Sequence, residues 1–300
     1  MRVLVGTSEG LHEAGLGIVA FDGRPVTALA QGREGWWAIV DGESVWRGDG
    51  PSWEPVVETA GRRLNCVVEV SGDVWAGAAE AHLLKLADGR LEDVVSFDKI
   101  EGREGWYTPW GEPPDVRSLS AGPGGVLYAN VHVGGIVRSA DGGGIWEPTI
   151  DVDTDVHRVV AHPETPALVL AALGAGGLAV SGDGGGRWAF ETGGLHATYC
   201  RAVAIAGDAV LLSASTGPFG GRAAVYRRPL SGGAFERCTS GLPEWYGSNI
   251  DSHWLDAHGT DATFGTPDGE VYASTDAGGT WTLAGRGLPA IHCIALARDG

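Results

Sequence analysis

The chain has 300 residues, 50 of them glycine, and a formal net charge of −17. That charge, with no basic run to neutralise phosphates, excludes nucleic acid and anionic membrane surfaces as partners. No apolar run reaches the roughly 18 residues that span a bilayer, and the N-terminus lacks the basic and apolar regions of a signal peptide, so a cytoplasmic location without membrane is expected. The abundant glycine fits a chain that turns tightly every few residues.

In chain order, a second-strand phrase comes first, VLVGT from Val3. A short apolar inner-strand phrase then recurs: VTALAQG from Val26, NCVVEVSG from Asn65, VRSLSAG from Val116, VHRVVAHP from Val156, CRAVAIAG from Cys200, SHWLDAHG from Ser252 and IHCIALARDG from Ile291. Most are followed by a second strand: DVWAGA at 73–78, VLYANV at 126–131, LVLAAL at 168–173, VLLSAS at 210–215 and ATFGT at 262–266. Equivalent positions are residues 27, 66, 117, 157, 201, 253 and 292, at intervals of 39 to 52 residues. That period is the mark of a β-propeller, one four-stranded blade per repeat. The chain opens on a second strand and closes on an inner one, so its two ends are expected to share a blade and leave no sheet edge unpaired. The expectation is an all-β, seven-bladed β-propeller of four-stranded antiparallel blades. It forms a single domain over 1–300, with blades at 291–300 plus 1–23, 26–57, 64–97, 116–150, 156–192, 199–239 and 249–284.

One longer phrase, Ser-x-Asp-x-Gly-x-x-Trp, occurs three times, at Ser139–Trp146, Ser181–Trp188 and Ser274–Trp281. The starts lie 42 and 93 residues apart, which leaves room for one decayed copy in the second gap. The phrase resembles the Asp-box of the BNR-repeat propellers, the sialidase-like scaffold. That resemblance implies a hairpin between the two outer strands of a blade. There Asp141, Asp183 and Asp276 bond the turn's own backbone, and Trp146, Trp188 and Trp281 pack back over it. The aspartates are therefore expected to be structural, not catalytic.

Chemistry is expected at the mouth, where inner strands begin. The equivalent positions read Thr27, Cys66, Arg117, His157, Arg201, His253 and His292. Asp115, Asp155 and Asp251 each precede a cation by two residues, which along a strand places them on the same side. Two models compete. Fixed charges at Arg117 and Arg201 favour an anionic ligand. His157, His253 and His292, with His132 as a fourth, suit a divalent or transition metal, the one cofactor considered. The longest intervals feed loops rich in aromatics: Trp106, Tyr107 and Trp110, then Glu244, Trp245 and Tyr246, with Arg222 entering from STGPFGGR. Such aromatics make a ligand wall or a partner surface.

Two functional classes follow. The first is a small-molecule-binding propeller, extending to a lyase or hydrolase acting on an anionic substrate, with His157, His253 and His292 as catalytic groups. Its ligand residues are Arg117, Arg201, Arg222, Trp106, Tyr107, Trp110, Glu244, Trp245, Tyr246, Asp155 and Asp251. The second is a non-catalytic binding or scaffold propeller with a protein partner on the top face. A metal-dependent enzyme and a glycosidase are lesser alternatives. The sialidase pattern is not met, since no Arg-Ile-Pro phrase occurs. Cys66, Cys200, Cys238 and Cys293 have no CxxC spacing and are expected to be buried free thiols.

Overall fold

The computed structural model describes residues 1–50 and 52–297. Seven four-stranded antiparallel sheets follow one another along the chain, making a seven-bladed β-propeller. Blade 1 is built from both ends: the strand Ile291–Leu296 pairs with Val3–Thr7, Leu4 opposite Ala295 and Val5 opposite Ile294. The expected inner strand to Arg298 runs partly outside the described residues. Blades 2 to 7 begin at Val26, Leu64, Asp115, Val156, Tyr199 and Leu255. No helix of the described residues is long and apolar enough to cross a membrane.

The strands differ by rank because their neighbours differ. Second strands such as Ala209–Ser215 are buried at every position, being covered on both faces. Fourth strands are short and exposed, as at Glu147–Pro148, which keeps the outer edge from templating further pairing. First strands of successive blades pack on one another at close range. A Cβ at Gly77 would stand 2.6 Å from Cys66 Sγ and 2.5 Å from Val116 Cγ1, so only glycine fits there.

By its contacts the chain divides into two compact units: Ala28–Ala171 with Ala179–Ala189, and Met1–Thr27 with Ala172–Leu178 and Phe190 onward. The first has its core around Trp75, Phe97, Val116, Leu127 and Trp146, with the Phe97 and Trp146 rings edge-to-face at 5.2 Å. The second centres on Leu211, Tyr246, Phe264, Tyr272 and Trp281, where Trp281 stands edge-on to Phe264 at 4.9 Å.

The three repeated phrases are hairpins between third and fourth strands of blades 4, 5 and 7. Each serine hydroxyl donates to its aspartate, Ser139 to Asp141 at 2.8 Å, Ser181 to Asp183 at 2.9 Å and Ser274 to Asp276 at 2.8 Å. The same hydroxyl accepts from the glycine amide two residues past the aspartate, and each of these glycines has positive φ: 90°, 102° and 82° at Gly143, Gly185 and Gly278. Each carboxylate also accepts the amide four residues on, from Ile145, Arg187 and Thr280. These bonds hold all three carboxyls below the ordinary range, Asp276 to about 2. Trp146 and Trp281 bond the turn of their own hairpin, whereas Trp188 reaches out to Thr149 O at 2.8 Å.

The decayed copy is in blade 6. Arg228, Leu230, Gly232 and Phe235 stand where Ser, Asp, Gly and Trp stand elsewhere. Arg228 is buried over the Phe235 ring and pairs with Glu191 at 2.6 Å, so an ion pair replaces the serine–aspartate bonds.

Candidate functional site

Most first strands carry a bulge at the position singled out in the sequence. The ladder skips a residue between Leu64 and Cys66, between Val116 and Ser118 and between Ile291 and Cys293, and slips again between Cys200 and Val203. The extra residues are Asn65, Arg117, His292 and, with Ala202, Arg201. A bulge re-aims its side chain out of the alternating pattern, so Asn65, Arg117, Arg201 and His292 are half-buried while their neighbours are core. Cys66 is therefore one place out of register: it is buried against the Val116 carbonyl, and Asn65 is the equivalent of Arg117. His253 is also misplaced by the sequence reading. Asp251 accepts the Ser252 amide at 2.7 Å and closes a turn with Trp254, so the strand starts only at Leu255.

The aspartates reach a neighbouring blade rather than simply the cation two residues on. Asp251 takes Arg201 Nη1 at 3.0 Å, and Asp115 takes Arg63 at 2.7 Å. Arg201 also bonds Tyr199 Oη and Pro218 O, each at 3.3 Å. Burial works against its charge, but Asp251 and Tyr199 hold its pKa above the ordinary value. Arg201 is thus spoken for, which weakens its reading as an anchor for an anion.

In blades 4 and 5, His132 ends the strand Leu127–His132, and Asp155 and His157 flank the start of Val156–Ala161. Asp155 Oδ1 lies 2.8 Å from His132 Nε2 and 3.3 Å from His157 Nε2. Both imidazoles are buried, with side chains 6% and 1% exposed. Burial pushes the Asp155 carboxyl up, but His132, His157 and Arg117 more than offset this and it sits below the usual carboxylate range. Trp110 lies over His132 at 5.4 Å between ring centroids, held there by a backbone pair between Tyr107 and Val133. Trp110 and Tyr107 are exposed, as expected for a loop wall. Trp106 is not: it packs on Phe97 and under the Arg103 guanidinium, so it caps the blade core.

The expected metal set is divided accordingly. His132 and His157 come together with Asp155. Among the described residues, His253 and His292 belong to no group of three ligands. Burial lowers the His292 pKa.

In blade 6 and the segment leading to blade 7, an isolated bridge pairs Ala223 with Tyr246 through two bonds of 3.0 and 2.8 Å. It sets their sequence neighbours Arg222 and Trp245 side by side. Arg222 adopts φ of 48°, uncommon for a residue with a side chain, and its guanidinium lies 4.5 Å from the centroid of the Trp245 ring. Arg237, from the strand Glu236–Arg237, lies 4.4 Å from the same centroid and donates to Glu244 O. His196 stands against the indole at 4.7 Å and shares a 2.7 Å bond with Tyr226 Oη. Burial, then the Arg222 charge, lowers the His196 pKa. Among the described residues neither Arg222 nor Arg237 has a carboxylate partner, unlike Arg201. Glu244 contributes its backbone carbonyl here. Tyr246 is core, edge-on to Phe264 and Tyr272, and burial raises its pKa, which removes it from the expected ligand wall. Arg237 was missed in the sequence because nothing local ties it to residues 222 and 245.

Two clefts stand out on the surface. One is lined by Ser71, Trp75, Gly125 and Asp141, the other by Leu16, Gly17, Leu283 and Arg286. Neither contains His157, His253 or His292. The four cysteines are buried and free, and burial drives their thiols up, Cys66 and Cys293 to about 12 and Cys238 to about 11.

No family model matches the chain, and no curated protein matches it. Among solved structures it is similar to an ancestral GH74 enzyme, at 17% identity and a TM-score of 0.65 over 91% of this chain and 38% of that one. It is similar to the GH74 enzyme of Niastella koreensis at 14% and 0.63, over 93% of this chain and 46% of that one. It is also similar to YCF48 bound to D1 peptide, at 14% and 0.57, over 95% of this chain and 87% of that one. The chain thus spans less than half the length of the two GH74 chains. Likeness at these identities establishes the propeller fold.

Proposed function

We propose that this chain is a non-catalytic binding propeller that receives an anionic, carboxylate-bearing ligand on the platform of Arg222, Trp245 and Arg237. The carrying observation is that two guanidinium groups share one indole with no carboxylate partner among the described residues, in a protein of net charge −17. Elsewhere the chain has acids to spare and uses them on Arg63 and Arg201. Guanidinium groups fixed by stacking lose little freedom when they take a carboxylate in a bidentate pair. The backbone of Arg222, held in a sparsely populated conformation, fits a residue aimed for a purpose.

Binding is favoured over catalysis because Trp110, Tyr107 and Phe219 are exposed on loops, as on a partner or ligand surface. The YCF48 structure described as bound to D1 peptide supplies a precedent of the same fold. The hydrogen-bonded Ser/Asp/Gly/Trp hairpins support placing the chain among BNR/Asp-box propellers, without sialidase activity. Its four buried free thiols suit the reducing cytoplasm.

Calorimetric titration with glutarate, citrate and a capped oligo-glutamate peptide tests the reading. At least one should bind the wild type. Arg222→Gln with Arg237→Gln should weaken it by about 2–4 kcal/mol, the scale for losing two charge-assisted contacts, discounted for partial exposure. Equal affinity in the double variant would sink the proposal.

A further inference from the structure

We propose that His132, Asp155 and His157 form a binding site for one divalent transition-metal ion of the zinc class. The site is separate from the arginine platform, stands on different residues and does not depend on it.

Two imidazole Nε2 atoms and one carboxylate oxygen all lie within 4.8 Å of one another. Around a tetrahedral ion at about 2.1 Å, neighbouring donors stand about 3.4 Å apart. Asp155 Oδ1 stands 3.3 Å from His157 Nε2, close to that spacing, and 2.8 Å from His132 Nε2, about 0.6 Å short of it. Closing the nitrogen pair asks for a rotation of side chains at strand ends, where His132 and Asp155 both sit.

Asp155 Oδ1 is buried, and two imidazole nitrogens from neighbouring strands converge on it, His132 Nε2 at hydrogen-bonding distance. A ligand set needs the same convergence, with the shared proton released when an ion takes its place.

Chemistry then selects the ion. Two nitrogens and one carboxylate suit zinc, cobalt or iron(II) and not calcium or magnesium, which take mostly oxygen. The Arg117 charge nearby acts on Asp155 and opposes a dication, a cost that the two imidazoles and the carboxylate must outweigh. Three protein ligands leave a coordination position for water or a small ligand.

A second group, His82 with Asp93 and Asp98, is a natural control. Each of its carboxylates lies directly against an arginine, Asp93 against Arg62 and Asp98 against Arg103 at 3.3 Å, and those fixed charges oppose a dication, so it should not bind.

The test uses tag-free full-length protein, stripped with chelator and titrated with Co²⁺ alone, then with Zn²⁺ in competition. One equivalent of Co²⁺ should develop intense visible ligand-field bands, displaced by Zn²⁺. Asp155→Asn and His132→Gln should each weaken binding by at least about 100-fold, beyond what losing an outer-shell partner does. His82→Gln should change nothing. Paramagnetic NMR of the wild-type Co²⁺ form should show two shifted imidazole N–H signals, a readout that stands even if a variant fails to fold. No saturable Co²⁺ binding, fewer than two imidazole signals, or binding abolished by His82→Gln but kept in Asp155→Asn would each overturn the site.

Discussion

The Arg228–Glu191 pair should respond asymmetrically to mutation. Arg228 has a side chain 1% exposed, and its partner Glu191 is 36% exposed. Arg228 Nη1 also bonds Pro229 O at 3.0 Å, and Nε is buried without a hydrogen-bond partner. Removing Glu191 therefore strands a charge that cannot reach water. Breaking a fully buried pair this way costs about 3–5 kcal/mol; water at the glutamate end reduces the expectation to about 2 kcal/mol for Glu191→Ala. Arg228→Met is the reverse case. It keeps a long apolar stem against Phe235 and leaves Glu191 free to hydrate, so the loss should stay below about 1 kcal/mol. The double variant should match Arg228→Met alone, giving a coupling equal to the Glu191→Ala loss, about 2 kcal/mol. Urea unfolding of the four proteins at neutral pH measures all of this, with slopes checked for constancy. Equal losses in the two single variants, or a Glu191→Ala loss under about 0.5 kcal/mol, would refute the reasoning.

Three further outcomes are expected. Asp276 has a folded pKa near 2, below its unfolded value of about 3.9, so its stabilisation is complete above that value and is lost as pH falls from about 4 to about 2. Asp276→Asn should flatten acid unfolding in that window and leave ligand affinity untouched. Deleting Ile291–Gly300 removes the strand paired to Val3–Thr7, and cooperative unfolding should be lost; melting within a few degrees of the full chain would contradict closure of blade 1 by both ends. Finally, the buried thiols, Cys66 and Cys293 pushed up to about 12, should resist an aromatic disulfide reagent in the native state and react together on unfolding.

The blades were legible because each is one repeat, and repetition turns weak strand signals into a period. Even the decayed hairpin at Arg228–Phe235 was foreshadowed by the spacing of the intact ones. The site was legible only in part. Placing Asp155 beside His157 followed from alternation along a strand, but the partnership of Asp251 with Arg201 bridges 50 residues and two blades. The bulges shift register by one where side chains matter most, which is why Asn65, not Cys66, is the equivalent of Arg117. Tyr246 and Trp245 look alike in sequence, yet the bridge to Ala223 sends one into the core and leaves the other under two arginines. Long-range pairing of that kind leaves no local trace.

The central claim is that an anion binds over Trp245, and the indole itself can report it. The protein would be labelled with 5-fluorotryptophan, its Trp245 signal assigned through Trp245→Phe, and followed by fluorine NMR during titration with glutarate, citrate or the oligo-glutamate peptide. A saturable shift of the Trp245 resonance is expected while Trp110 and the core tryptophans stay still. Sensitivity to salt should be weak, since local attraction to the arginines and long-range repulsion from the net charge are screened together. A Trp245 signal unmoved by every anion, or a shift at Trp110 in its place, would contradict it.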